Sequence, residues 1–176
     1  MAAPTDAALI AAWQDGDEQA AAELVRRHAR ALARFLAGGG ASAADLDDLV
    51  QETFIRAFRA VAQFRGRCQF RTWLLTIGGN VHKDVGRRAK RERVVPLPEE
   101  LRAADGDPHE QTVAGEVERR LGEGIATLPR LQREVFLLRA QQGLEYAEIA
   151  AALETTAGAA RVHYHHAVKR LKEYLS

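Results

Sequence analysis

Arg161, Val162, His163, His165 and Lys169 follow one another at spacings that suit contact with DNA. Arginine grips guanine through two parallel hydrogen bonds, and a valine side chain can meet a thymine methyl. Lys169, Arg170 and Lys172 lie further along, where a cation more naturally meets phosphate. A second set stands upstream. Phe64, Gln69 and Asn80 could stack on an unpaired base or bond to its edge, and Arg65, Arg67, Arg71, Lys83, Arg87 and Arg88 could hold phosphates. A third set, Asp48, Gln51, Glu52 and Ile55, is spaced to share one helix face and would suit a basic, partly apolar helical surface. Each set has a plainer reading. The first fits a basic solvated helix and the third a solvated acidic helix start. Phe64 divides evenly between base contact and packing, and Phe70 and Trp73 are read as core.

The elements that must position these residues are helices. Tyr146, Ile149, Ala150 and Leu153 form a short amphipathic pattern that breaks at Glu154-Thr155-Thr156. A second pattern follows, with Ala160, Tyr164, Ala167 and Leu171 inward and Arg161, His165, Lys169 and Lys172 outward. Two short helices and a tight turn describe a helix-turn-helix, whose second helix enters the major groove of double-stranded DNA. Upstream, helices are expected over 6–14, 18–36, 45–63 and 70–90, and downstream over 113–126 and 129–141. The stripe Leu46, Leu49, Val50, Thr53, Phe54, Ala57, Phe58 and Val61 carries the three-four spacing of a buried helix face. The helix from Phe70 is expected to bury Phe70, Trp73, Leu74, Ile77, Val81 and Val85. Gly38-Gly39-Gly40 is expected to end the second helix, Ser42 or Asp45 to cap the third, and Pro129 to open a helix in its first turn.

The net charge of +1 hides a strong segregation. Residues 63–93 carry nine cations against two anions, and residues 94–118 seven anions against one cation, as in a nucleic-acid protein with separate basic surfaces. Pro96, Pro98, Gly106 and Pro108 mark the acidic stretch as a tether. No apolar run is long enough for a transmembrane helix, and no signal peptide is read at the start, so a cytoplasmic protein without membrane insertion is expected. The single cysteine, Cys68, fits a reducing compartment; cations on either side could lower its pKa, though a bystander thiol is the more ordinary reading. His163, His165 and His166 lack partners for a metal site, no nucleophile–base pair or phosphate loop is found, and no metal or cofactor is expected.

An ordered series of motifs crosses both halves. Asp47-Asp48-Leu49-Val50-Gln51-Glu52-Thr53-Phe54 precedes Phe64-Arg65, Phe70-Arg71-Thr72-Trp73-Leu74, Ile77, Asn80, Asp84 and Arg87-Arg88. Leu128-Pro129, Arg133 to Leu138, Gly143, Tyr146, Glu148-Ile149-Ala150, Leu153, Gly158, Ala167 and Leu171 follow. Over roughly 18–91 and 113–175 this series resembles the extracytoplasmic-function (ECF) group of bacterial RNA polymerase sigma factors. The resemblance implies an all-α protein of two small helical domains joined by an acidic flexible linker. Residues 1–91 would bind core RNA polymerase and open the −10 promoter element, 92–112 would be the linker, and 113–176 would hold the −35 element. It further implies polymerase docking through Asp48, Gln51, Glu52 and Ile55, and −10 contact through Phe64, Arg65, Arg67, Gln69, Arg71, Asn80, Lys83, Arg87 and Arg88. Contact with −35 would run through Arg161, Val162, His163, His165 and Lys169, and an anti-sigma factor would be a further partner. A stand-alone regulator that binds DNA as a dimer is the alternative. Departures from the group's pattern are Gly79, where arginine is common, Glu145 and Glu154 around the first helix of the helix-turn-helix, and Ala159-Ala160-Arg161-Val162-His163 in the second.

Overall fold

The computed structural model describes residues 3–92 and 113–176, and the proposed linker lies almost wholly outside the described residues. Among the described residues there are eight α-helices and no strand. They are α1 (Asp6–Gln14), α2 (Glu18–Gly38), α3 (Leu46–Ala60), α4 (Phe70–Glu92), α5 (Val113–Thr127), α6 (Arg130–Ala140), α7 (Tyr146–Leu153) and α8 (Ala157–Leu175).

Helices α1 to α4 form the first bundle. Asp17 opens α2 by accepting hydrogen bonds from the amides of Gln19 and Ala20, satisfying donors that a helix start leaves free. α2 buries Leu24, His28, Leu32, Phe35 and Leu36 against Leu49, Phe54 and Ala57 of α3 and Phe70, Leu74, Leu75 and Val81 of α4. α4 crosses α2 so closely that a Cβ on Gly78 would lie 2.6 Å from Leu32 Cδ1. His28 Nε2 meets Asp6 Oδ2 at 2.8 Å, and Arg27 donates to the Pro4 carbonyl, tying α1 across α2.

Helices α5 to α8 form the second bundle. α6 and α8 pack along each other, with α5 and α7 also against α8. Val135, Leu138, Ile149, Ala160, Ala167 and Leu171 are its buried centre. α7 stops because Glu154 adopts a left-handed conformation (φ 53°), and the Thr155 amide then donates back to the Ala150 carbonyl. Thr156 accepts from the Ala159 amide and starts α8, so the tight turn expected at 154–156 is present.

The glycine run ends α2 as expected, two residues past Leu36, with Gly39 as the cap and the positive φ at Gly40. Three local expectations need correction. Pro129 is the residue before α6 rather than in its first turn, with ψ 145°. Asp45 makes no side-chain cap; Ser42 accepts from the Asp45 amide and donates to its carboxylate instead. Val85 is exposed rather than buried.

Candidate nucleic-acid interface

The loop after α3 and the outer face of α4 frame a cleft of about 700 Å³. Phe64, Arg65, Arg67 and Asn80 line it, so four of the upstream residues converge there. The chain is turned by a short 3-10 segment, Val61–Gln63, and by Gly66 in the left-handed region (φ 66°). Phe64 is half-buried, its ring 5.2 Å from Trp73 and 5.7 Å edge-on to Phe70. That packing holds the ring against the loop while leaving part of it toward the cleft, a rigid edge for stacking. Arg65 and Arg67 are exposed, free to meet phosphate.

Trp73, Thr76 and Ile77 also line the cleft. Sequence reasoning placed Trp73 in the core, yet it is half-buried. The signal was present: positions 73, 76, 77 and 80 share one helix face. Gln69 is exposed outside the cleft lining. Arg71 is exposed and donates to Gln142 of the second bundle. Lys83 faces a different cavity, of about 160 Å³, between α4 and α6. Arg87 and Arg88 continue along exposed α4. The cations therefore do not all border one surface.

On α3, Asp48, Gln51 and Ile55 are exposed on one face, and Glu52 is half-buried beside them. Glu52 accepts from Arg56 at 2.7 Å, and Arg56 also reaches Asp84 on α4 at 2.7 Å. The Arg56 hydrogen bond holds the Asp84 carboxyl below its usual range. This clamp fixes α3 on α4 and orients the Glu52 carboxylate.

On α8, Arg161, Val162, His165 and Lys169 are exposed and His163 is half-buried. His166 is exposed as well, with its ring 6.1 Å from that of His165. The Arg161 guanidinium lies 5.4 Å from the Tyr146 ring centre. Among the described residues no group of three or more His, Cys, Asp or Glu could hold a metal ion.

Cys68 does not show the lowered pKa that its cationic sequence neighbours could have produced. Burial, followed by the nearby Glu148 charge, pushes its thiol pKa up, and the Trp73 backbone offsets this only in part. Neighbours in sequence were cationic, but the side chain turns toward an anion of the other bundle.

Two family models match: Sigma-70 region 2 over residues 24–92 and Sigma-70 region 4 over residues 118–171. The chain is 34% identical over 168 residues to the ECF RNA polymerase sigma-E factor of Haemophilus influenzae, covering 89% of this chain and 88% of that protein. It is 35% identical over 162 residues to the RNA polymerase sigma factor NccH of Alcaligenes xylosoxydans xylosoxydans, covering 88% and 86%. The solved structure of CnrH in complex with the cytosolic domain of CnrY matches with a TM-score of 0.69 and 29% identity, covering 95% of this chain and 94% of that one.

Proposed function

The chain belongs to the ECF group of bacterial RNA polymerase sigma factors, and from that premise we propose how its surfaces divide the work at a promoter. It directs core RNA polymerase to specific promoters, and its partners are core polymerase, promoter DNA and an anti-sigma factor. Residues 1–91 act as the polymerase-binding and −10-opening domain, 92–112 as the linker, and 113–176 as the −35 domain. The α3 face of Asp48, Gln51, Glu52 and Ile55 docks on polymerase. Arg65 and Arg67 hold the phosphates of a separated strand while Phe64 and Asn80 receive a base, with Arg71, Gln69, Lys83, Arg87 and Arg88 extending the contact. Stacking supplies about 1–3 kcal/mol per base, too little for the free chain to melt duplex DNA, so polymerase must contribute. Arg161, Val162, His163, His165 and Lys169 read and hold the −35 element from α8.

This role requires no catalytic residue and no cofactor of the chain. No described helix is long and apolar enough to cross a membrane, and the place of action is the cytoplasm, with the polymerase. The capture of CnrH with the cytosolic domain of CnrY supports control by a dedicated protein partner here.

The observation that carries the reading is the meeting of Phe64, Arg65, Arg67 and Asn80 in one cleft, in a chain that also bears the helix-turn-helix. A stand-alone dimeric regulator has no use for that cleft or for the α3 face. The test is transcription in vitro with purified core enzyme and a library of genomic fragments. The wild-type chain is expected to co-elute with core polymerase and to yield transcripts from selected fragments. A double variant, Gln51→Lys with Glu52→Lys, is expected to lose both while keeping its helical circular dichroism. A wild-type chain that never co-elutes with core enzyme overturns the reading.

A further inference from the structure

The cavity between α4 and α6 is separate from the promoter-facing cleft, and its charges do not balance. It measures about 160 Å³, about ten times the space that one water needs. Phe35, Leu36 and Leu137 give it an apolar wall, and its ionisable lining is His82, Lys83, Arg130, Arg133 and Glu134. Four of these five are basic. Glu134, only 5% exposed, is already taken by Arg130, whose Nε donates to it at 2.8 Å. Lys83 and Arg133 form no ion pair with a carboxylate among the described residues. One terminal nitrogen of Arg133 donates to the carbonyls of Ala126 and Leu128. Its Nε is shut off from water with no hydrogen-bond partner, which is costly for a buried donor.

The backbone adds to the imbalance. Arg130 and Arg133 stand in the first turn of α6, which holds no acidic residue and has no side-chain cap. A helix start carries positive partial charge and favours acids. Cations placed there break a local rule, and such departures gather at functional sites. We propose that this cavity binds a small free oxyanion of the phosphate class, a tetrahedral dianion held between Lys83 of α4 and Arg133 of α6. Two cations without counter-charge match two negative charges, and the apolar wall strengthens the attraction. Sites for drug-sized ligands run to about 300–1,000 Å³, so this cavity suits a free anion rather than a nucleotide. Arg130 is exposed at the rim, which gives a small solute a way in. His82 takes part through its proton. Burial first, and then Arg133, lower its pKa, while the Gly39 backbone and Asp45 oppose them. A bound anion favours the charged imidazole, so binding takes up a proton and tightens as pH falls.

Isothermal titration calorimetry of the full chain with sodium sulfate, at ionic strength held constant with chloride, tests the site without DNA or polymerase. Sulfate is the probe because it keeps both charges over the range in which histidine titrates. Saturable binding at one site per chain is expected, several-fold tighter at about pH 6 than at about pH 8, on either side of the ordinary histidine value. Lys83→Gln breaks no ion pair and is expected to weaken binding on the order of tenfold, the ratio that about 1.4 kcal/mol corresponds to. His82→Asn is expected to bind as wild type at the higher pH and to lose the tightening at the lower. Arg30→Gln removes an exposed cation of α2 outside the cavity lining and is expected to bind as wild type. Circular dichroism confirms that all three stay helical. Absence of saturable sulfate binding to the wild-type chain overturns the site, as does equal weakening by Lys83→Gln and Arg30→Gln. Inorganic phosphate and glycerol 3-phosphate are titrated in parallel, and tighter binding of the ester overturns the assignment to a free anion. None of these results alters the transcription test of the sigma-factor reading.

Discussion

Arg161 stands at the solvent side of α8 with the Tyr146 ring beneath its guanidinium. The same ring also has Arg139 at 5.0 Å and packs edge-on to Tyr164, 6.2 Å away. Tyr146 is therefore held by the bundle and limits where Arg161 can point before DNA arrives. A cation over an aromatic face at an exposed site is worth about 0.5–1 kcal/mol, whereas a bidentate base contact carries about 1–3 kcal/mol of discrimination. Arg161→Ala is accordingly expected to lose about 1–3 kcal/mol of preference at one base pair of the −35 element and to leave polymerase binding unchanged. Tyr146→Leu is expected to lose about 0.5–1 kcal/mol at that same base pair. Competitive transcription from promoters that differ at single −35 positions measures both. If the two variants relax different base pairs, the ring does not position the arginine.

The turn between α7 and α8 is where an element's local chemistry can be isolated. Glu154 holds a left-handed backbone that costs a side-chain-bearing residue about 1–2 kcal/mol. Glu154→Gly is expected to raise stability by about 1 kcal/mol, a melting-temperature gain of about 2–4 °C for a chain of this size. Thr156→Ala, which removes the acceptor for the Ala159 amide, is expected to cost about 1 kcal/mol. Thermal denaturation followed by circular dichroism reads both signs. The existence and limits of the helices were legible because their apolar positions recur at three and four and the faces they define are buried. Leu49, Thr53, Phe54 and Ala57 on α3 and Ala160, Ala167 and Leu171 on α8 all point inward as their spacing requires. What spacing cannot state is which neighbour covers a face and where that neighbour ends. Val85 keeps the periodicity of α4, yet no neighbour covers it and it is exposed. Trp73 has the composition of a core residue, yet it lies half-buried where loop, α4 and α7 meet. Lys83 and Asn80 are three apart on α4, but one faces the cavity toward α6 and the other the cleft toward α7. The division of that helix between two borders comes from the docking of the second bundle, which no local pattern encodes.

At the scale of the whole chain, the border between the bundles holds a histidine whose pKa is depressed. His82 lines the cavity between α4 and α6 together with Lys83, Arg130, Arg133 and Glu134. Burial first, and then the Arg133 charge, lower its pKa below the ordinary 6.5, while the Gly39 backbone and Asp45 oppose them only in part. Arg133 is itself pulled down by burial, with Glu134 opposing, and Glu134 is already engaged by Arg130 at 2.8 Å. His82 is thus held neutral among cations when the bundles are docked, and parting them would return it to water. A group whose folded pKa is depressed in this way contributes fully above its free value and loses that contribution as pH falls through the window beneath it. Docking of the two bundles is therefore expected to be firm at pH 7.5 and to loosen as pH falls below about 6.5, the ordinary histidine value and above the range in which ordinary carboxylates titrate. Small-angle scattering across that range should show the radius of gyration rise on acidification, with the Cys68 alkylation rate, corrected for thiolate fraction, rising alongside it. His82→Asn, which cannot take up a proton, should flatten both curves in the same window. A curve that keeps its shape in the variant assigns the pH response to another group and leaves the α4–α6 cavity without a part in it.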